Sequence, residues 1–249
     1  MVITRNEAEN IERCLRSVDW ADEVIVVDSH SQDDTRTRAA ALGARVYERD
    51  WPGFGAQKNF GIDVSRNQWI LNIDADEQVT PELAAEISVV IRAPGHQAYR
   101  VRRSASFMGR PLRHYGRAPR EPGVIRLFRK DSARFDEPIV HEVVRVDGSV
   151  GRLEAPLLHF CYPTVGAYWR KIHYYAALEA QQYVSLPPRP NNRWLRAAGK
   201  LGWMLIFRRG LLHGPSGWVW IGGQAYQDWL AMGEAARLRR RLSARNAPA

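Results

Sequence analysis

Along the first 95 residues, short apolar runs alternate with segments whose apolar positions recur at helical spacing. Val2-Ile3-Thr4 is the first run, and Glu7 to Val18 follows with Ile11, Leu15 and Val18 on one helical face. Glu23 to Val27 reads as a buried strand ending at Asp28. Asp33 or Asp34 caps a helix through Ala39 to Leu42, which Gly43 stops. Arg45-Val46-Tyr47 is a third strand, and a loop with Pro52, Gly53 and Gly55 leads into a helix over Ala56 to Val64. Gln68 to Ile73 is a fourth strand ending at Asp74, and Thr80 caps a helix with Pro81 at its first position, running to Ile91. This order predicts an α/β fold with a mostly parallel sheet and helices on both faces.

Beyond residue 95 the alternation weakens. Ala98 to Arg102 and Val124 to Phe128 read as strands, and Val143 to Val146 followed by Gly148 reads as a hairpin. Thr164 to Ser185 is a helix, broken by Pro187-Pro188-Arg189-Pro190, and Trp194 to Leu242 reads as two helices joined at His213-Gly214-Pro215. Three parts follow: an alternating half (1–95), a second half of the same domain (96–188), and a helical tail (189–249).

With 249 residues and 45% hydrophobic side chains, the chain can bury a substantial core. Two cysteines, Cys14 and Cys161, imply no disulfide framework and point to a reducing cytoplasm. No signal-peptide pattern opens the chain, and the longest apolar run, Leu201 to Phe207, is far short of the ~18–20 residues of a membrane span.

The net charge of +9 is unevenly spread. Residues 1–99 carry 10 basic and 17 acidic side chains, whereas 100–134 and 189–249 each carry 11 basic and 2 acidic ones. A basic block suits a phosphorylated molecule, an anionic membrane or nucleic acid, or is simply a solvated surface.

In open α/β sheets, ligands bind beyond the carboxyl ends of the strands. Those ends carry Thr4-Arg5-Asn6, Asp28-Ser29-His30 and Asp74-Ala75-Asp76, and the predicted order sets all three on one rim. Two carboxylates two residues apart in a loop suit a hard divalent cation such as Mg²⁺ or Mn²⁺, which bridges phosphate oxygens and improves a diphosphate as leaving group. Asp28 suits hydrogen bonds from a base or ribose.

Ile3-Thr4-Arg5-Asn6-Glu7, Val26-Val27-Asp28-Ser29 with Asp33-Asp34-Thr35, and Asp74-Ala75-Asp76-Glu77 together resemble family 2 glycosyltransferases of the GT-A fold. Trp51-Pro52-Gly53-Phe54-Gly55-Ala56-Gln57-Lys58-Asn59 and Pro138-Ile139-Val140-His141-Glu142 resemble the subgroup of lipopolysaccharide core β-1,4-glucosyltransferases. The resemblance implies inverting, metal-assisted transfer of a sugar, glucose in that subgroup, from a UDP-sugar to the lipopolysaccharide inner core. A polyprenyl phosphate or another envelope glycan is the alternative acceptor. Thr4 and Glu7 would then line the nucleotide pocket, Asp28 would bind the base, and Lys58 would lie near the nucleotide. Asp74 would face the ribose, and Asp76 the metal and diphosphate. Inversion needs a general base: Glu142 is the first candidate, with Asp136 and Glu137 in reserve. His141 is either a further metal or diphosphate ligand or a structural histidine. His30 stands where relatives usually have Gly, at a position that calls for a left-handed backbone.

The first basic block would be an acceptor or diphosphate site, with Arg117 and Arg126 as candidates. The tail holds Trp194, Trp203, Trp218, Trp220 and Trp229 beside an Arg237–Arg241 cluster, which suits peripheral contact with the inner face of the cytoplasmic membrane or, alternatively, ordinary packing. A haloacid-type phosphatase is excluded by Gln78, where it needs Thr or Val. A sugar-nucleotide pyrophosphorylase would need a Gly-rich loop after the first strand. A nucleic-acid binder explains the arginines but not the carboxylates, so no nucleic-acid partner is expected.

Overall fold

The apolar runs at the start of the chain become strands because each is short, β-branched and bounded by polar turns. In the computed structural model, β1 (Val2–Thr4), β2 (Ile25–Asp28), β3 (Arg45–Glu48) and β5 (Ile73–Asp74) form a sheet in the order β3-β2-β1-β5, parallel throughout. Between them run α1 (Ile11–Arg16), α2 (Thr35–Ala41) and α3 (Phe54–Val64), with β4 (Trp69–Leu71) preceding β5. The residues described are 1–112, 123–137, 142–162, 164–185, 192–206 and 214–245.

Ile11, Cys14 and Leu15 of α1, Ala39 of α2, and Val2 and Val26 of the sheet are buried in one core. Leu83 and Ile87 of α4 (Pro81–Arg92) join them. The other face of the sheet is covered by α3, whose Gly61 passes so close that a Cβ there would lie 3.3 Å from Val27. Helices thus flank the parallel sheet on both sides, the α/β arrangement the alternating pattern predicts.

The fourth predicted strand divides at the buried Asn72. The Asn72 amide donates to the carbonyl of Arg126, whereas the Ile73 amide donates to that of Met1. β4 therefore pairs antiparallel with β9 (Val124–Arg129), while β5 stays beside β1. β6 (Glu77–Val79) follows the Ala75-Asp76 turn, a strand the apolar pattern does not mark. With β7 (Ala98–Phe107), β8 (Arg110–Pro111) and β12 (Val150–Tyr162) it completes a second sheet, ordered β4-β9-β7-β12-β6 with β8 on β7.

The hairpin expected at Val143 to Val146 pairs backwards rather than forwards. β11 (Val144–Val146) lies antiparallel to β10 (Ala133–Phe135), and the chain passes Gly148 into β12 of the larger sheet. α1 is shorter than its periodicity predicts, because Asn6 takes a positive φ of 56° and residues 7–10 form a turn before it.

The chain divides into two compact units: Met1–Ala105 with Arg120–Phe160, and Ser106–Pro119 with Cys161–Ala249. The second unit is built on α5 (Val165–Ser185), α6 (Arg193–Ile206) and α7 (Gly214–Arg245), with α7 packed against both α5 and α6. Its core gathers Phe107, Leu112, Tyr168 and Ile172, and the Tyr168 hydroxyl donates to the Trp220 carbonyl at 2.6 Å. At the α5–α7 crossing a Cβ on Gly223 would meet the Tyr168 ring at 2.4 Å, so only glycine fits there.

Thr80 caps α4 as predicted and, beyond that, ties the helix to the sheet. Its hydroxyl accepts from the Leu83 amide at 3.2 Å and donates to the Pro156 carbonyl of β12 at 3.2 Å. Thr80→Ala is expected to lower stability by about 1 kcal/mol, read as a lower urea midpoint at unchanged slope, with Thr80→Ser restoring most of it.

Candidate active site

Parallel register aligns the strand tips: Thr4 lies opposite Asp28, and Ile3 opposite Asp74. The polar residues picked out at the strand ends therefore share one rim.

On the β1–β2 side, Asp28 is fully buried and its oxygens are occupied. They accept from the Thr4 hydroxyl (2.8 Å), the Ser31 amide (2.8 Å) and the Ser31 hydroxyl (2.5 Å), with Arg36 Nε 3.8 Å away. The loops after β1 and β2 are laced together: the Asn6 amide donates to Ser31 Oγ and the Glu7 amide to Thr35 Oγ1, each at 2.8 Å. His30 does take the left-handed backbone, at φ 54°. Its ring lies between Glu48 and Asp50, 2.8 Å from each, and hydrogen bonding to these two carboxylates raises its pKa.

The sequence motif ending at Asn59 becomes a scaffold on α3. Gly53 has φ 127°, which favours glycine. Gly55 is forced by contact, since a Cβ there would lie 2.0 Å from the Asp136 carbonyl oxygen. Gln57 donates to Ser29 Oγ at 3.0 Å. Asn59 grips β10 with both ends of its amide, donating to the Phe135 carbonyl and accepting from its N–H, each at 2.9 Å. Lys58, buried, donates to Glu142 Oε1 at 2.5 Å and lies 3.6 Å from Asp74 Oδ1.

Asp74 and Asp76 differ in environment. Arg126 Nη2 donates to Asp74 Oδ2 (2.5 Å) and to the buried Glu77 Oε1 (2.6 Å), while Glu77 Oε2 accepts from the Asp74 amide at 3.0 Å. Desolvation opposes ionisation of Asp74, but the charges of Arg126 and Lys58 outweigh it and hold the carboxyl well below its usual range. Glu77 moves the other way: desolvation outweighs the pull of Arg126, and its pKa rises. Asp76 sits in the turn with Oδ1 3.4 Å from His159 Nε2, and its carbonyl accepts from the Phe160 amide at 2.8 Å.

Lys58, Asp74, Glu142, Glu77 and Arg126 thus form one linked cluster, and Thr4 and Asp28 a second on the same rim. Asp136 belongs to the hairpin: its carboxylate accepts from the Val143 amide at 2.6 Å and lies 3.6 Å from Arg145. Glu137 is exposed. His141 and Arg117 lie outside the described residues. Arg126, an acceptor-site candidate by sequence, is 5% exposed and bound to Asp74 and Glu77, which removes it from direct contact with an acceptor. His159 carries no signal in the sequence, whereas Glu77 stands in the Asp74–Glu77 motif without a role of its own and Arg103, whose Nη1 is 3.8 Å from Glu77, lies in the first basic block. Strand pairing alone brings His159 opposite Glu77.

Among the described residues no three of His, Cys, Asp and Glu gather into a metal cage. Asp74 is engaged by Arg126 and Lys58, and Asp76 lies beyond the strand in the turn, beside His159. This donor set fits a divalent ion that takes its other oxygens from a bound diphosphate, the usual manner for Mg²⁺.

Residues 1–174 match the family model described as glycosyl transferase family 2. An uncharacterized glycosyltransferase of Rickettsia bellii is 30% identical over 239 residues, covering 88% of this chain and 79% of the relative. The lipopolysaccharide core biosynthesis glycosyltransferase LpsC of Rhizobium meliloti is 30% identical over 237 residues, covering 88% and 84%. Among solved structures, glucosyl-3-phosphoglycerate synthase of Mycobacterium tuberculosis, crystallised with Mn²⁺, UDP and glucosyl-3-phosphoglycerate, matches with 26% identity and a TM-score of 0.36, covering 40% of this chain and 41% of the other.

Two substitutions probe the scaffold. Arg126→Met leaves Glu77 buried beside Asp74 without its cation and is expected to cost about 3–5 kcal/mol; adding Glu77→Gln should recover part of that loss in urea titrations. Gly55→Ala is expected to cost about 1–3 kcal/mol through overpacking against the Asp136 carbonyl, read in the same titrations.

Proposed function

The chain belongs to glycosyl transferase family 2, and from that premise we propose that it transfers a sugar from a UDP-sugar to the inner core of a lipopolysaccharide, inverting the anomeric carbon. The observation that carries this reading is the charge cluster on the rim: Asp76 in the turn after β5, with the Lys58–Glu142 pair bonded at 2.5 Å and Lys58 3.6 Å from Asp74. The lipopolysaccharide acceptor is supported by the likeness to LpsC, and glucose as the sugar by the resemblance of the Trp51–Asn59 and Pro138–Glu142 motifs to the core glucosyltransferases.

Thr4 and Glu7 line the nucleotide pocket, and Asp28, by holding Thr4 and Ser31, shapes the part that receives the base. Asp74 faces the ribose. Lys58 offers its ammonium to the diphosphate and orients Glu142. The acceptor hydroxyl attacks the anomeric carbon opposite the diphosphate. A glycosidic C–O bond forms, the sugar–phosphate C–O bond breaks, and the hydroxyl proton passes to Glu142 as general base. Asp136 and Glu137 are the reserve bases. Asp76, with the diphosphate oxygens, would hold a divalent ion, which when bound supplies Lewis-acid stabilisation of the leaving nucleoside diphosphate. On this reading the chain works in the cytoplasm, against the inner face of the membrane where a lipid-linked acceptor is presented.

A panel of nucleotide-sugars, assayed for nucleoside diphosphate release with Mg²⁺, Mn²⁺ or chelator, tests the reading. Release from a UDP-sugar is expected, dependent on the ion and stimulated by core oligosaccharide rather than by polyprenyl phosphate. Asp76→Ala should lower turnover by about a hundredfold or more with an unchanged circular dichroism spectrum. Full turnover in that variant would refute the role of Asp76.

A further inference from the structure

The five tryptophans of the tail separate into two groups. Trp220 packs on the core of the second unit, and Trp229 stacks on Tyr226, with centroids 5.8 Å apart and an interplanar angle of 17°. Trp229 also carries the Arg193 guanidinium 4.2 Å from its ring centroid. Trp194, Trp203 and Trp218 are 67%, 48% and 51% exposed, although the Trp194 ring also meets that of Trp229 with centroids 5.1 Å apart.

Two of the exposed three lie on α6, and they are not alone. Leu195 and Ile206 are 68% and 67% exposed. They lie about three turns apart on a single line of the helix, with Gly199 and Gly202 between them. Trp203 and Arg196 flank that line on one side, and Trp194 and Ala198 on the other. Met204, on the opposite side, is buried. The apolar side chains of α6 thus face outward as well as inward, and the glycines leave the outward face flat. Val219, beside Trp218 in the first turns of α7, is 43% exposed. Soluble monomers rarely leave so many large apolar side chains together at the surface.

The charges indicate what meets this face. α6 has no acidic residue, and residues 189–249 carry 11 basic side chains against two acidic ones. Both acidic groups are already paired, Asp228 with Lys200 at 2.9 Å and Glu234 with Arg237 at 3.4 Å. A face of Leu, Ile and Trp on a strongly basic segment matches an anionic bilayer surface, where tryptophan settles at headgroup level. No helix among the described residues is long and apolar enough to cross a membrane.

We propose that the outward stripe of α6, Leu195-Trp203-Ile206 with Trp194, docks the protein flat on an anionic lipid surface. The Arg237–Arg241 cluster of α7 is not the anchor, because Arg237 pairs with Glu234 and Arg239 is bonded to the Tyr183 carbonyl of α5. This deepens the reading of a membrane-presented acceptor and rests on it for its purpose, but its test does not use the reaction.

The full chain is mixed with vesicles of phosphatidylcholine containing phosphatidylglycerol, or of phosphatidylcholine alone, and sedimented. Binding is expected to the anionic vesicles and to weaken with salt. Leu195→Glu with Ile206→Glu should reduce it about tenfold or more, while Arg240→Glu with Arg241→Glu should reduce it less. Nucleoside diphosphate release with a soluble core acceptor should be unchanged in the α6 variant, so failure to dock and failure of the enzymatic reading are separable. Quenching of tryptophan fluorescence by brominated lipid, lost in Trp194→Phe with Trp203→Phe, reads the same contact without a charge change. Equal binding by the α6 variant, no binding by the native chain, or a dimer that the α6 variant converts to monomer would each overturn the proposal.

Discussion

One buried guanidinium holds the candidate site together. Arg126 reaches from β9 and gives a single nitrogen, Nη2, to both Asp74 and Glu77. Glu77 has no exposed surface, and the cation nearest its carboxylate is this one, with Arg103 farther off at 3.8 Å. The same bonds join the two sheets: Asp74 ends a strand of the parallel sheet, Glu77 begins a strand of the mixed one, and Arg126 belongs to the mixed one. The turn carrying Asp76 lies between two residues fixed by one arginine, so its geometry is set before any ligand arrives, as electrostatic preorganisation requires.

A second tether fixes the other side of the cluster. Glu142 lies in a loop and could not hold a position unaided. α3 supplies the support: Asn59 clasps the backbone of Phe135, Gly55 admits the Asp136 carbonyl, and Lys58 meets Glu142 itself. Three residues within five positions of one helix thereby position a segment some eighty residues further along. That explains the unusual composition of this stretch, where two glycines, a buried lysine and a buried glutamine replace the apolar face expected of a helix beside a sheet.

The parallel half of the fold was readable because short runs of apolar and β-branched residues alternate there with segments of helical spacing. The common rim followed from the order of elements alone. What stayed hidden depends on pairing at long range. β6 carries Glu77 and Gln78, too polar to be marked as a strand, and exists because β12 pairs with it. The break at Asn72 follows from a hydrogen bond to Arg126, more than fifty residues away. His159 could not be singled out, since only the β6–β12 register brings it beside Glu77 and within reach of Asp76. Arg126 stands out in the sequence only as one of two acceptor- or diphosphate-site candidates in a basic block, and its burial against Asp74 and Glu77 shows only in the fold.

A spacing of two residues in a sequence says that two carboxylates are close, not that they are equivalent. Asp74 is the last residue of its strand, and Arg126 and Lys58 lie against its carboxylate. Asp76 lies past the strand, in the turn, with the imidazole of His159 beside it. A cation approaching Asp74 would have to compete with two fixed positive charges. The two aspartates differ in environment because the strand ends between them.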